Sequence, residues 1–324
     1  MKNIIKFITI CFVFSTYGCG ADFFDSVIEV KTEPAKPLLV VNAFWEAGND
    51  SLAVFVSKSR DSKDNSFFNV RDRGNLDYFS GYDSVANSKV ELFRNDQLLG
   101  EIPKFKGGYH VSKGRFKLDT ASGVRYKIRV SAPNFPTVEA TQVIQSKPKI
   151  TQTIFRKDGA LYQNPSDPFG QPQKGDDFSI EIADNGTEVN SYFLVNRGFD
   201  WYSRTGSNST RSYDIYTQNL DPLAEDLFLN DKSFNGETHR WRLFARVSTF
   251  DGQNAIIPKK GDYFVYFVQT FNKDWFLFNK TRDLLRDAED NPFFTEPVIL
   301  HSNIKGGYGL FTIYSEQRVL YFLP

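Results

Sequence analysis

Cysteine is almost missing from this 324-residue chain: there are two, Cys11 and Cys19, both within the first twenty positions. Beyond them no disulfide framework and no cysteine-based metal site can form. Histidine is nearly as scarce. His110, His239 and His301 stand far apart, and none has a neighbour at the helical spacing of an H-E-x-x-H zinc motif. Net charge is lacking too, with 39 basic against 39 acidic residues. That balance argues against a nucleic-acid partner, which would call for a basic stripe. No apolar run reaches the roughly 20 residues a membrane-spanning helix needs; the densest, at 263–271, reads as a buried strand. The chain also has no G-x-S-x-G elbow, no P-loop and no G-x-G-x-x-G turn after a strand, so it offers no ready nucleophile and implies no cofactor.

What the chain does have starts at its N-terminus. Lys2 and Lys6 precede an apolar stretch from Phe7 to Phe14, and small Gly18 sits directly before Cys19. This is the layout of a lipoprotein signal peptide, so residues 1–18 read as a removed leader and Cys19 as the lipidated residue. Each buried methylene of an acyl chain contributes about 0.8 kcal/mol, and two or three palmitate-length chains anchor essentially permanently. The expected address is the outer membrane, lipid-anchored, with the face left open. Losing Lys2 and Lys6 takes the basic count from 39 to 37 against 39 acidic residues. Residues 19–37 carry two prolines, mixed charge and little periodicity, and read as a tether.

Aromatic residues are plentiful, with 32 Phe, 15 Tyr and 4 Trp, which favours a well-packed β protein. Apolar–polar alternation marks strands near 38–45, 52–56, 89–93, 98–102, 126–130 and 137–144. Such short strands punctuated by turn residues describe a β-sandwich over 38–147. A second β domain is expected over 148–324. Within it, Phe178, Ile180 and Ile182 alternate before Asn185-Gly186, a type I′ hairpin signal, with 188–196 as the returning strand. Further strands are expected at 212–218, 240–248, 263–270, 310–314 and 319–323. One helix is expected near 273–288, with Asn272 as N-cap and Trp275, Phe278, Arg282 and Leu285 on one face.

Four stretches carry a family resemblance. They are the lipobox at Cys19, the strand LLVVNAFW at 38–45, the segment VANSKVELFRNDQ at 85–97, and the block from the helix at 273 through NIKGGYGLFTIYS, ending at 315. Together they resemble the Bacteroidota lipoproteins of domain-of-unknown-function family 4249. The resemblance implies two β domains, the first similar to a transthyretin or carboxypeptidase-regulatory sandwich. It also implies an accessory role beside a TonB-dependent outer-membrane receptor, because such genes are often neighbours. It brings no catalytic residues.

Candidate contact residues come from two loops that mix rings with Arg, Ser, Asn and Gly. The first, 67–82, offers Tyr78 and Tyr82; the second, 199–216, offers Trp201, Tyr202 and Arg204. Large amphipathic rings bury area at small entropy cost and suit contact surfaces. Carboxylate clusters at Asp176-Asp177, Asp221 with Glu225-Asp226, and Asp287 with Glu289-Asp290 are the acids a glycosidase would need to pair across a cleft. The glycines Gly306, Gly307 and Gly309 read as a bulge or tight loop, since a strand and not a helix follows. The expected function is a non-enzymatic accessory or binding lipoprotein of a TonB-dependent receptor system. The alternatives are a surface adhesin or envelope assembly component, and a carbohydrate-active enzyme.

Overall fold

Strand β1 (Leu39–Glu46) shows how the sequence pattern becomes a sheet: Leu39, Val41, Ala43 and Trp45 are buried, and the residues between them face the other way. The structure is a computed structural model describing residues 36–59, 83–163, 169–196, 214–222, 224–225, 227–248, 263–290 and 299–322. Pro37–Pro324 forms one unit. It is mainly β, with several sheets and one long helix. No helix among the described residues is long and apolar enough to cross a membrane.

Next to β1 runs β2 (Ala53–Lys58), then β6 (Tyr109–Val111) and β5 (Lys104–Lys106) at the edge. On the other side of β1 lies the last strand, β17 (Tyr308–Phe322), followed by β16 (Tyr263–Phe271), β11 (Ser191–Asn196), β14 (Phe228–Asn230) and β13 (Ala224–Glu225). These nine strands make one central sheet. Its β1–β17 pair is parallel, and the other described strand pairs are antiparallel.

Two four-stranded sheets pack on the central one. The first has the order β4 (Gln97–Ile102), β3 (Lys89–Arg94), β7 (Arg125–Ser131), β8 (Val138–Val143). It closes a core in which Val90, Leu92, Ile128 and Val130 meet Val41, Trp45, Val54, Phe311 and Ile313. The second has the order β12 (Asp214–Asn219), β15 (Thr238–Ser248), β10 (Gln173–Ala183), β9 (Lys149–Tyr162). There Phe178, Ile180, Ile182, Trp241 and Leu243 meet Tyr192, Leu194, Tyr266, Val268 and Val319. The position 147/148 separates most of the two cores but not the sheet, because β17 supplies Phe311 and Ile313 to one core and Val319 to the other.

The turn between β3 and β4 has Asn95 and Asp96 at φ 47° and 66°, the two positive values a type I′ hairpin requires. The hairpin expected at Asn185-Gly186 does not form. β10 pairs with β9 and β15, while β11 pairs with β14 and β16 in the central sheet, so the chain crosses between layers at this turn. Gly186 is there for contact: a Cβ on it would lie 2.8 Å from the backbone of Gly236. Alternation reports which face of a strand is buried, not which strand lies beside it. Strands β5, β6, β9, β13 and β14 escape the sequence reading, and the segments at 310–314 and 319–323 are one strand.

His110 is fully buried in the first core. Its Nδ1 faces the Ile102 carbonyl at 3.1 Å and its Nε2 faces the Ser88 hydroxyl at 2.9 Å. Burial pushes its pKa below the ordinary histidine value. A base held neutral in this way binds fewer protons folded than unfolded. Its contribution is therefore complete above the unfolded pKa of about 6.5 and is lost as pH falls toward the lowered folded value. Denaturant midpoints taken from pH 7.5 to 5 should fall more steeply in the wild type than in His110→Gln. Parallel profiles would remove His110 as the source.

Candidate functional site

The site is assembled on the outer face of the central sheet, where helix α1 (Lys273–Asp290) lies across β11, β16 and β17. Asn272 caps the helix, its Oδ1 accepting from Asp274 N at 3.1 Å. Trp275 is the anchor. It stacks on Phe271 at 4.8 Å between ring centroids and meets the edge of Phe44 at 5.3 Å. Phe278 continues the ring face, and buried Asn279 bonds back to the Trp275 carbonyl at 2.8 Å. Arg282, expected on that face, is instead exposed and beside Asp283.

The chain then returns along the helix through Ile299 to Gly307. The Asp274 carboxylate collects three donors, one from β8 and two from the segment that follows the helix. They are His301 Nε2 at 3.0 Å, Gln142 Nε2 at 3.0 Å and Asn303 Nδ2 at 3.3 Å. A carboxylate in the first helical turn is also favoured by the helix dipole. His301 N donates to Thr281 Oγ1 at 2.9 Å, and Asn303 brackets the Phe311 backbone with bonds of 2.7 and 2.9 Å.

Between this returning segment and the helix lies an open groove of about 370 Å³, lined by Thr281, Ile299, Leu300, His301, Ser302 and Tyr308 among others. Ile299 is 85% exposed and Tyr308 51%. The lining offers an apolar shelf with one imidazole and three hydroxyls, a surface suited to contact with a ring or aliphatic group. The glycines that follow hold the segment against β1. Gly306 sits at φ +81°, a Cβ on Gly307 would come within 2.5 Å of the Leu39 carbonyl, and Gly309 has φ +110°. They do the structural work that the sequence pattern implies.

Of the carboxylates named from the sequence, Asp176, Asp177 and Asp221 have partners of their own among the described residues. Asp176 and Asp177 are consecutive on β10 and point to opposite faces. Asp176 accepts from Asp158 N at 2.9 Å, and burial raises its pKa. Asp177 pairs with Arg242 at 3.1 Å. Asp221 lies 2.6 Å from His239, whose ring stacks on Phe234 at 4.6 Å. Asp287, Glu289 and Asp290 fall in the last turns of α1. Asp226, Tyr78, Tyr82, Trp201, Tyr202, Arg204 and Cys19 lie outside the described residues.

One polar cluster has no sequence signature. Asp184 accepts from Tyr192 Oη at 2.5 Å, Gly236 N at 2.8 Å and Asn190 Nδ2 at 3.2 Å. Asn190 N donates to Asp231 at 2.6 Å. Burial raises the Asp231 pKa first, and the Asp184 charge adds to it. These groups tie turns from distant parts of the chain, so no local spacing announces them. Among the described residues no group of three or more His, Cys, Asp or Glu is placed to share a metal ion.

No curated protein matches the chain. A family model described as Domain of unknown function (DUF4249) matches residues 25–319, and the chain belongs to that family.

Proposed function

We propose that this protein is an outer-membrane lipoprotein, anchored through Cys19, that serves as a non-enzymatic binding component beside a TonB-dependent receptor. The observation that carries this reading is the leader itself: Lys2 and Lys6, the apolar stretch, then Gly18-Cys19. From Cys19 to Pro37, where the folded unit starts, the chain can reach at most about 60 Å at roughly 3.3 Å per residue. Anchor and tether confine the folded unit to the membrane plane, which raises its effective concentration at a receptor without any added contact. Binding is favoured over turnover by how the described carboxylates are used: Asp177, Asp221 and Asp274 each already hold a cationic or hydrogen-bonding partner. The groove beside α1 is the described surface offered for contact, and the ring-rich stretches at 67–82 and 199–216 are further candidates from the sequence.

The test is affinity purification of the tagged native protein in gentle detergent, followed by mass spectrometry. Recovery of one TonB-dependent barrel, lost in Cys19→Ala, is the expected result, with Trp201→Ala and Tyr202→Ala reducing capture. A clean lipoprotein with no barrel would overturn the proposal. The adhesin or assembly reading gains from one feature, the exposed Leu98 and Leu99 on edge strand β4 and Phe105 on edge strand β5. Exposed apolar residues on unpaired edges invite a protein partner. Recovery of an envelope protein other than a receptor would favour that reading.

A further inference from the structure

The outer face of the second four-stranded sheet is the turned-away side of β9, β10 and β15, and its chemistry is unlike a solvated sheet face. Phe178, Ile180 and Ile182 point from β10 into the core, so Asp177, Ser179 and Glu181 point outward. Outward residues of an antiparallel sheet are ordinarily wet. Here Asp177 is only 5% exposed and Ser179 only 4%. The side chains over them are arginines. The register sets Arg242 of β15 and Ile154 of β9 on either side of Ser179, Arg156 of β9 opposite Asp177, and Arg240 of β15 opposite Glu181.

These residues enclose a groove of about 300 Å³ lined by Ile154, Arg156, Asp177, Ser179, Arg240 and Arg242. Two of its guanidinium groups are already used. Arg242 Nη2 lies 3.1 Å from Asp177, whose other oxygen accepts from Ser179 Oγ at 3.3 Å, and Arg240 Nε donates to Glu181 at 2.9 Å. Arg156 is exposed and has no ion-pair partner among the described residues. Three positive groups therefore meet two negative ones, with one positive charge left over.

We propose that this groove binds one oxyanion, a carboxylate or sulfate group carried on a small solute. Arg156 is its main anchor. A free guanidinium offers a planar fork of donors that matches such a group with two parallel bonds. Arg242 gives Nη2 to Asp177 and has further N–H groups to share, while Ile154 supplies an apolar wall for the carbon skeleton. The volume lies at the small end for ligand sites, so the ligand is a single ring or a short chain. Asp177 and Glu181 do not compete with the anion. They hold Arg242 and Arg240 in place and set the residual charge to one.

The test uses the full chain in detergent, titrated at constant ionic strength with glucuronate, glucose and sodium sulfate and followed by calorimetry. Glucuronate and sulfate should bind and displace each other, while glucose should not bind. Arg156→Ala should weaken glucuronate by about tenfold or more, because a charge-assisted hydrogen-bond pair is lost. Its melting profile should stay near that of the wild type, since the side chain is exposed and unpaired. Glu181→Gln should act in the opposite sense and tighten anion binding, because it raises the groove's net charge. A folded protein that binds neither anion would overturn the proposal. So would equal binding of glucose and glucuronate, or an unchanged affinity in Arg156→Ala.

Discussion

Gly309→Ala is expected to cost more than about 3 kcal/mol and to leave little folded protein. Gly309 lies opposite Val41 in the parallel β1–β17 pair, and its φ is +110°. A Cβ there would sit 2.1 Å from the Val41 carbonyl oxygen and within 2.9 Å of two more Val41 backbone atoms. Val41 is itself fully buried on a central strand and cannot retreat without breaking pairing on both sides. Gly123 separates strain from collision. It also has positive φ, at +82°, yet nothing lies within 4 Å of its Cβ position. Gly123→Ala should therefore cost only about 1–2 kcal/mol, the penalty of left-handed backbone. Equilibrium denaturation of the two variants measures the difference. Equal losses would mean the junction is looser than the register implies.

The second large effect concerns the two tryptophans at the centres of the two cores. Trp45 is fully buried, donates from Nε1 to the Ala53 carbonyl at 2.7 Å, and meets the edge of Phe311 at 4.8 Å. Trp241 is equally buried and donates to Asn219 at 3.2 Å. Trp45→Ala and Trp241→Ala should each cost about 3–5 kcal/mol through lost contact and the cavity left behind. More informative is the shape of the transition. β17 gives side chains to both cores, so neither can open without disturbing the strand the other depends on. Both variants should unfold in one step, with far-ultraviolet dichroism and tryptophan fluorescence coinciding. Two separated transitions would show that the cores act as independent domains.

Particular elements show where sequence reading works and where it stops. The alternation in LVVNAFWE predicts the buried face of β1 residue by residue. Asn95-Asp96 forms its positive-φ turn, and Asn272 caps α1, because both depend on atoms a few residues apart. Asn185-Gly186 carries an equally good local signal and makes no hairpin, since the neighbours of β10 are chosen by the facing sheet. The candidate site shows the same division. The apolar face of the helix is legible, whereas the Asp274 clamp unites Gln142, His301 and Asn303, whose distance in sequence hides them. The arginine groove is hidden for a different reason. Its residues occupy the polar positions of ordinary alternating strands, and only adjacency of three strands gathers their charges.

By itself the sequence determined a mainly β fold with one helix, which side chains of β1 turn inward, that Gly306, Gly307 and Gly309 meet a tight passage, and which family the chain belongs to. Those properties rest on local periods, on φ preferences and on the match over residues 25–319. The tertiary structure decided that the last strand lies parallel to the first, with Leu310 N bonded to an Asn42 oxygen 268 residues away. It also decided that one strand serves two cores, and that Arg156, Arg240 and Arg242 share a groove. Backbone hydrogen bonds are the same for every strand. The choice of partner is made by side-chain packing across the whole fold, and no local stretch of sequence contains it.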